Sequence, residues 1–353
     1  NVPMKPKYHL PISLKGYEEN DFAMILGYPG RTNRWMPASG VAQNVDYAYP
    51  AWVEGSKLSM DVMKKYMDAD QKVRLDYASK YAGIANYWKN RGGMIEALKE
   101  HKTVDKKRQM EREFTEWANR TGKKDKYGDV VEIIDHYYNK TNEKSRQHNY
   151  LFSMLRGTVF TVTPYSLGTS LVQYASENEA KREEMRPRLE EYIENFFEGI
   201  HMPLEEEVFA KQLNLYYAKG AKGGLAPYVK ELGDRFEGNF DAYIKNGFNS
   251  SIFTKKDRLL AYLDNPKASH IEEDELFKLS TDLMTHYRAE TPEEKALKDS
   301  YIRSFRLLVE GLRESGLSPI QYPDANSTLR LTYGTIRPLP LGEGKVNDAQ
   351  YNY

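Results

Sequence analysis

The sequence predicts a mainly α fold in which one large helical block is inserted between two short β segments. Three observations carry this. Strand-length apolar runs are confined to the two ends of the chain, apolar residues recur every three or four positions from about Tyr47 to about Gly316, and Gly or Pro marks the joints inside that stretch. A length of 353 residues corresponds to roughly two domains of ordinary size.

At the start, His9–Leu14 and Phe22–Tyr28 are runs of strand length separated by the turn-like Gly16–Asp21, and Pro29-Gly30 ends the second. The helical stretch comes next. Its clearest segment runs from Val73 through Tyr77, Tyr81, Ile84, Trp88 and Ile95, with charged residues at intervening positions. The pattern repeats over Val130–Tyr138, Glu183–Phe197, Val208–Tyr217, Ile271–Tyr287 and Tyr301–Leu312. Joints are expected at Gly92-Gly93, Thr121-Gly122, Pro203, Gly220–Pro227, Pro266, Pro292 and Gly316. Near the end, Ser327–Gly334 alternates polar and apolar as a half-buried strand does. A few strands at each end cannot form a stable sheet alone, so residues 1–45 and 319–353 are read as one β domain and residues 46–318 as a helical insertion, a candidate lid or cap.

Composition narrows the function classes. Hydrophobic residues make up 40% of the chain, with 24 Gly besides, enough for a sizeable core. The balance of 51 basic against 51 acidic residues gives no global field for nucleic acid, so no nucleic-acid partner is expected. No run approaches the ~18 apolar residues of a membrane span. The absence of Cys removes disulfides, thiolate metal sites and a Cys nucleophile. The chain begins at Asn1 without a Met or a recognisable leader, and so reads as the middle of something longer.

Most chemical motifs are missing. The seven His residues include no helical metal pair and no H-E-x-x-H, so neither a metal nor a cofactor is expected. Glu205-Glu206-Glu207, after His201, resembles a solvated first helical turn. The Gly-rich Lys219–Gly224 lacks phosphate-loop spacing and reads as a flexible joint. No Gly-x-Ser-x-Gly occurs, and Ser166 reads as a helix N-cap or turn residue.

Three segments stand out: the Pro-Gly turn of Gly27–Arg34, the helix Tyr77–Asn90, and the turn and strand of Tyr322–Gly334. On the helix, Tyr77, Tyr81, Ile84 and Trp88 form an apolar stripe. Leu75, Ala78, Ser79, Ala82 and Asn86 gather on a second face that is small apart from Leu75. Such a face permits close approach, and Asn86 can offer its amide oxygen to an ammonium while its NH2 is anchored elsewhere. On the residues alone, an incidental surface Asn, costing ~0.7 kcal/mol or less relative to Ala, is the simpler reading.

Taken together, Gly-Tyr-Pro-Gly, Tyr-Ala-Ser-Lys-Tyr and Pro-Asp-Ala-Asn-Ser-Thr-Leu-Arg-Leu-Thr-Tyr-Gly resemble the serine dipeptidyl-peptidases of peptidase family S46 over essentially the whole chain. The resemblance implies a chymotrypsin-like double β-barrel, of which only edge strands are present here, with the helical block as a cap over the active site. It implies a Ser-His-Asp triad whose members lie outside this chain, so that no catalytic residue is assigned within it. Asn86 falls at the position that binds the peptide's free N-terminal ammonium, and the resemblance favours that role over an incidental one. The expected partners are peptides with a free N-terminus and, for the full-length protein, a second copy in a homodimer. The expected location is the periplasm or cell surface. The choice between an aliphatic and an acidic residue before the cleaved bond is set largely outside this chain in the family. The competing class is a non-catalytic helical module that holds a peptide or protein partner.

Overall fold

The computed structural model describes residues 3–320, 322–338, 340–342 and 345–346. It divides into two compact units, Asn1–Trp35 with Ile320–Tyr353, and Met36–Pro319. Beyond Val346, the segment read from sequence as returning to the β domain lies outside the described residues.

In the first unit, β1 (Phe22–Gly27) pairs antiparallel with β2 (Arg330–Thr335), placing Met24 opposite Tyr333 and Leu26 opposite Leu331. A second small ladder joins β3 (Pro340–Gly342) to β4 (Lys345–Val346). The expected strand at His9–Leu14 does not form: it has no pairing, and Leu10, Ile12 and Leu14 are exposed. A strand needs a partner ladder and a covered face, and the described residues supply neither to this run.

The turn after β1 is tied to the segment before β2. Asp324 Oδ1 accepts from Thr32 Oγ1 at 2.5 Å and from the Arg34 backbone N–H at 2.8 Å. Thr32 Oγ1 in turn accepts from the Ala325 N–H at 2.9 Å, and Ser327 N–H donates to the Pro29 carbonyl. Trp35 Nε1 completes the clasp by donating to the Tyr322 carbonyl at 3.1 Å. Two of the three segments singled out in the sequence thus interlock although almost three hundred positions separate them.

The second unit is helical. It opens with α1 (Ala38–Gln43), a π turn over Asn44–Ala48, and then α2 (Tyr49–Ala69) and α3 (Gln71–Glu100). Next come α4 (Thr103–Arg120), α5 (Lys124–Tyr127), α6 (Val130–Gly157), α7 (Thr163–Ser176), α8 (Glu179–Phe197) and α9 (Met202–Gly220). The remainder comprises α10 (Pro227–Arg235), α11 (Asp241–Ser250), α12 (Lys256–Tyr262), α13 (Ala268–Glu272), α14 (Glu275–Arg288) and α15 (Pro292–Glu314). Most of the expected joints are element ends. Pro203 lies in the first turn of α9, Pro292 opens α15 behind a capping box of Thr291 and Glu294, and Gly316 takes a positive φ just past α15.

Three readings change. Helix α3 runs unbroken through Gly92-Gly93, since a Gly in a helix interior weakens it by only ~1 kcal/mol and does not break it as Pro does. The single helix expected over Ile271–Tyr287 is two, since the Asp274 side chain accepts from the Leu276 and Phe277 N–H groups and starts α14 afresh. Ser166 lies inside α7 and donates to the Thr163 carbonyl, so it is not a cap.

The core sits among α6, α7, α9 and α14, where Leu151, Leu171, Phe209, Leu213, Tyr216, Leu279 and Leu283 are fully buried. Helices α2, α6 and α9 approach closely at Gly55. A Cβ there would collide with Ser153, and Gln212 Nε2 donates to the Gly55 carbonyl and to Ser59 Oγ, both at 2.6 Å.

Candidate functional site

Helix α3 starts where the Asp70 side chain accepts from Lys72 N–H at 2.7 Å and Val73 N–H at 3.4 Å. Its apolar stripe packs as the spacing predicts. Val73, Tyr77 and Ile84 are buried with Met60, Met63, Leu204 and Val208 of α2 and α9, and Tyr81, Ala85 and Trp88 pack against the same cluster. Beyond Ile84 no residue of α3 is buried.

The opposite face is bare. Leu75, Ala78, Ser79, Ala82 and Asn86 are all exposed, so the small-residue face presents itself to solvent. The Asn86 side chain makes no hydrogen bond among the described residues, and the anchor expected for its NH2 is not formed there; both its amide oxygen and its NH2 are open. The neighbouring Tyr87 ring stands edge-on to Trp52 of α2 at 6.1 Å, with the Arg156 guanidinium of α6 5.3 Å from its centroid. One turn further on, the Arg91 guanidinium lies 4.6 Å from the Tyr49 ring centroid. These contacts fix the roll of α3 at the turn that carries Asn86.

A feature the sequence did not reveal underlies the N-terminal half of this helix. Glu205 is 1% exposed, not solvated. Its Oε1 accepts from Tyr77 Oη at 2.8 Å and Lys80 Nζ at 3.1 Å, and its Oε2 accepts from the Val159 N–H at 2.9 Å. Tyr77 Oη also accepts from the His201 N–H at 3.1 Å. Burial and then the Glu205 charge push the Tyr77 hydroxyl far above the ordinary phenol range, so it stays a donor. The neighbouring Glu207 is the more accessible one. Burial raises its carboxyl, but hydrogen bonds from Lys211, Lys65 and Tyr66 outweigh that and bring it down to about 2.

Elsewhere in the helical unit, a cavity of about 590 Å³ opens between α6 and the α14–α15 junction, lined by Lys144, His148, His286, Arg288 and Glu294 among others. The His148 ring stacks on Tyr287 at 4.6 Å, and its basicity is lowered by burial and then by Lys144 and His286. Among the described residues no three His, Cys, Asp or Glu side chains converge as a metal site requires, and no helix is long and apolar enough to cross a membrane.

The sequence profile of Peptidase S46 matches residues 1–348, and the chain belongs to that family. Among curated relatives, dipeptidyl-peptidase 7 of Capnocytophaga gingivalis is 41% identical, the match covering 100% of this chain and 49% of the relative. Dipeptidyl-peptidase 7 of Phocaeicola vulgatus is 32% identical, covering 96% and 47%. The Asp/Glu-specific dipeptidyl-peptidase of Flavobacterium psychrophilum is 30% identical, covering 96% and 47%. The chain spans about half the length of these relatives. The crystal structure of Porphyromonas endodontalis DPP11 in complex with the dipeptide Arg-Glu superposes with a TM-score of 0.84 at 24% identity, over 98% of this chain and 50% of that one, which shows a shared fold.

Proposed function

We propose that this chain is the helical cap and adjoining barrel edge of a serine dipeptidyl-peptidase that releases dipeptides from free N-termini, and that Asn86 receives the substrate's ammonium. Supporting the reading are family membership over almost the whole chain and relatives that carry dipeptidyl-peptidase names. The single observation that carries the site is Asn86 itself, exposed and unpartnered on a face with little side-chain bulk around it. An amide oxygen is the right chemistry for a cation, because it accepts from N–H donors and carries no charge that would hold the amine too tightly for release.

The reaction is acyl transfer. A Ser attacks the second peptide bond, a His takes its proton and later gives it to the leaving amine, and an Asp orients the His, all three supplied by segments outside this chain within a double β-barrel. The cap acts as a ruler. An ammonium fixed at a set distance from the nucleophile makes the second bond the one in reach, and a blocked amine leaves the acceptor unpaired. The enzyme would work in the periplasm or at the cell surface, as a homodimer.

Replacing Asn86 by Ala in the full-length protein should cost about one charge-assisted hydrogen bond, ~1.5–3 kcal/mol in kcat/KM for a free-amine dipeptidyl substrate. Substrates with aliphatic and with acidic residues before the cleaved bond should be assayed side by side, because relatives of both names match. Unchanged kcat/KM on every substrate cleaved would sink the assignment.

A further inference from the structure

We propose that Glu205 is a positioning residue for peptide hydrolysis: it sets where Asn86 stands by clamping Tyr77 and Lys80 of the helix they share, an inference that rests on the reading of Asn86 as the amine site. The three donors to Glu205 are the Tyr77 hydroxyl, the Lys80 ammonium and the Val159 N–H. None belongs to α9, the helix that Glu205 itself sits on. A carboxylate that merely served its own helix start would accept from that helix's free N–H groups. Here a fully buried charge instead joins α3, the segment after α6, and the first turns of α9.

Burying a carboxylate is costly unless it is fully hydrogen-bonded, so the clamp is stiff: loss of a donor leaves part of a buried carboxylate without a hydrogen bond, and loss of Lys80 removes its counterion. Beyond the clamp the helix is held by its apolar stripe, Tyr81, Ile84, Ala85 and Trp88 against α2 and α9, so Glu205 sets the start of a packed arm whose far turn carries Asn86. Ile84 is the last buried residue of α3, and Asn86 stands just past it. At ~1.5 Å per residue, Asn86 lies ~13 Å along the axis from Tyr77, so a tilt of only about 4° at the clamp moves it by about 1 Å. Misplacement on that scale can cost up to ~100-fold in rate. Tyr87 against Trp52 and the Arg156 guanidinium, and Arg91 against Tyr49, limit roll, whereas the clamp joins the start of α3 to α9 and to the segment after α6.

The test is a double-mutant cycle in the full-length protein, with kcat and KM measured on a free-amine dipeptidyl substrate and thermal stability measured alongside. Glu205→Gln keeps the shape and loses the charge. It should lower kcat/KM by about 10- to 100-fold when Asn86 is present and by less than about 2-fold on the Asn86→Ala background. Tyr77→Phe, which keeps the ring and removes only the hydroxyl, should give the same background dependence, and it carries the test if Glu205→Gln does not fold. Equal losses on both backgrounds, or full activity in Glu205→Gln, would overturn the inference while leaving the amine site standing. If Asn86→Ala alone changes nothing, the amine reading fails first and the positioning role goes with it.

Discussion

Phe209, Leu213 and Tyr216 of α9 are completely buried, whereas Phe22, Met24, Ile25 and Leu26 of β1 keep between 55% and 71% of their surface exposed. Both regions are apolar in sequence. The helical unit buries its apolar residues against its own helices, but among the described residues of the β unit no second layer covers those of the ribbon. Exposed apolar runs on this scale mark a surface meant to be covered. In the function proposed, the cover is the rest of a β-barrel supplied by the longer protein.

The sharpest way to break this contrast is to truncate one large side chain in each region of the 353-residue chain. Phe209→Ala should cost about 3–5 kcal/mol of unfolding free energy, the range for an aromatic removed from a packed core. Ile25→Ala should stay within about 0.5 kcal/mol, as surface substitutions do. Denaturant titration of both variants reads the difference. Similar losses would mean the ribbon already has a packed face.

A smaller effect separates the same regions by pH. Glu207 bridges Lys65 of α2 and Lys211 of its own helix, and its folded-state carboxyl lies at about 2 against an ordinary value of 4.5. Because the unfolded state binds more protons between those values, the stability this group contributes is present above about pH 4.5 and is lost as pH falls toward about 2. Glu207→Gln should therefore flatten that part of the acid-unfolding curve. The β unit's pair, Arg337 with Glu19, is 3.6 Å apart with both side chains exposed, and Glu19→Gln should change unfolding free energy at neutral pH by no more than about 0.5 kcal/mol.

How much of this could be read from the residues depends on whether the signal is local. The α3 stripe was legible because a 3.6-residue period shows in any window, and the Pro and Gly joints because they act on their own backbone. Glu205 was not legible: its neighbours Glu206 and Glu207 make a run that looks solvated, and its partners Tyr77, Lys80 and Val159 come from distant segments. The break at Asp274 was hidden by an apolar period that continues across it. His9–Leu14 shows the opposite case, because a strand-like run becomes a strand only when a partner is there to pair with it. Asn86 is set apart by its small-residue face, but the amine-binding role proposed for it is what the family resemblance implies, since an exposed Asn on a helix carries no chemical signature of its own.

The function proposed stands or falls on Asn86 holding the amine of the substrate. A crystal structure of the full-length protein with a bound dipeptide tests it most directly. The Asn86 amide oxygen should lie ~2.7–3.2 Å from the dipeptide's N-terminal nitrogen. A dipeptide whose amine is held entirely by other groups, with Asn86 still facing solvent, would contradict it.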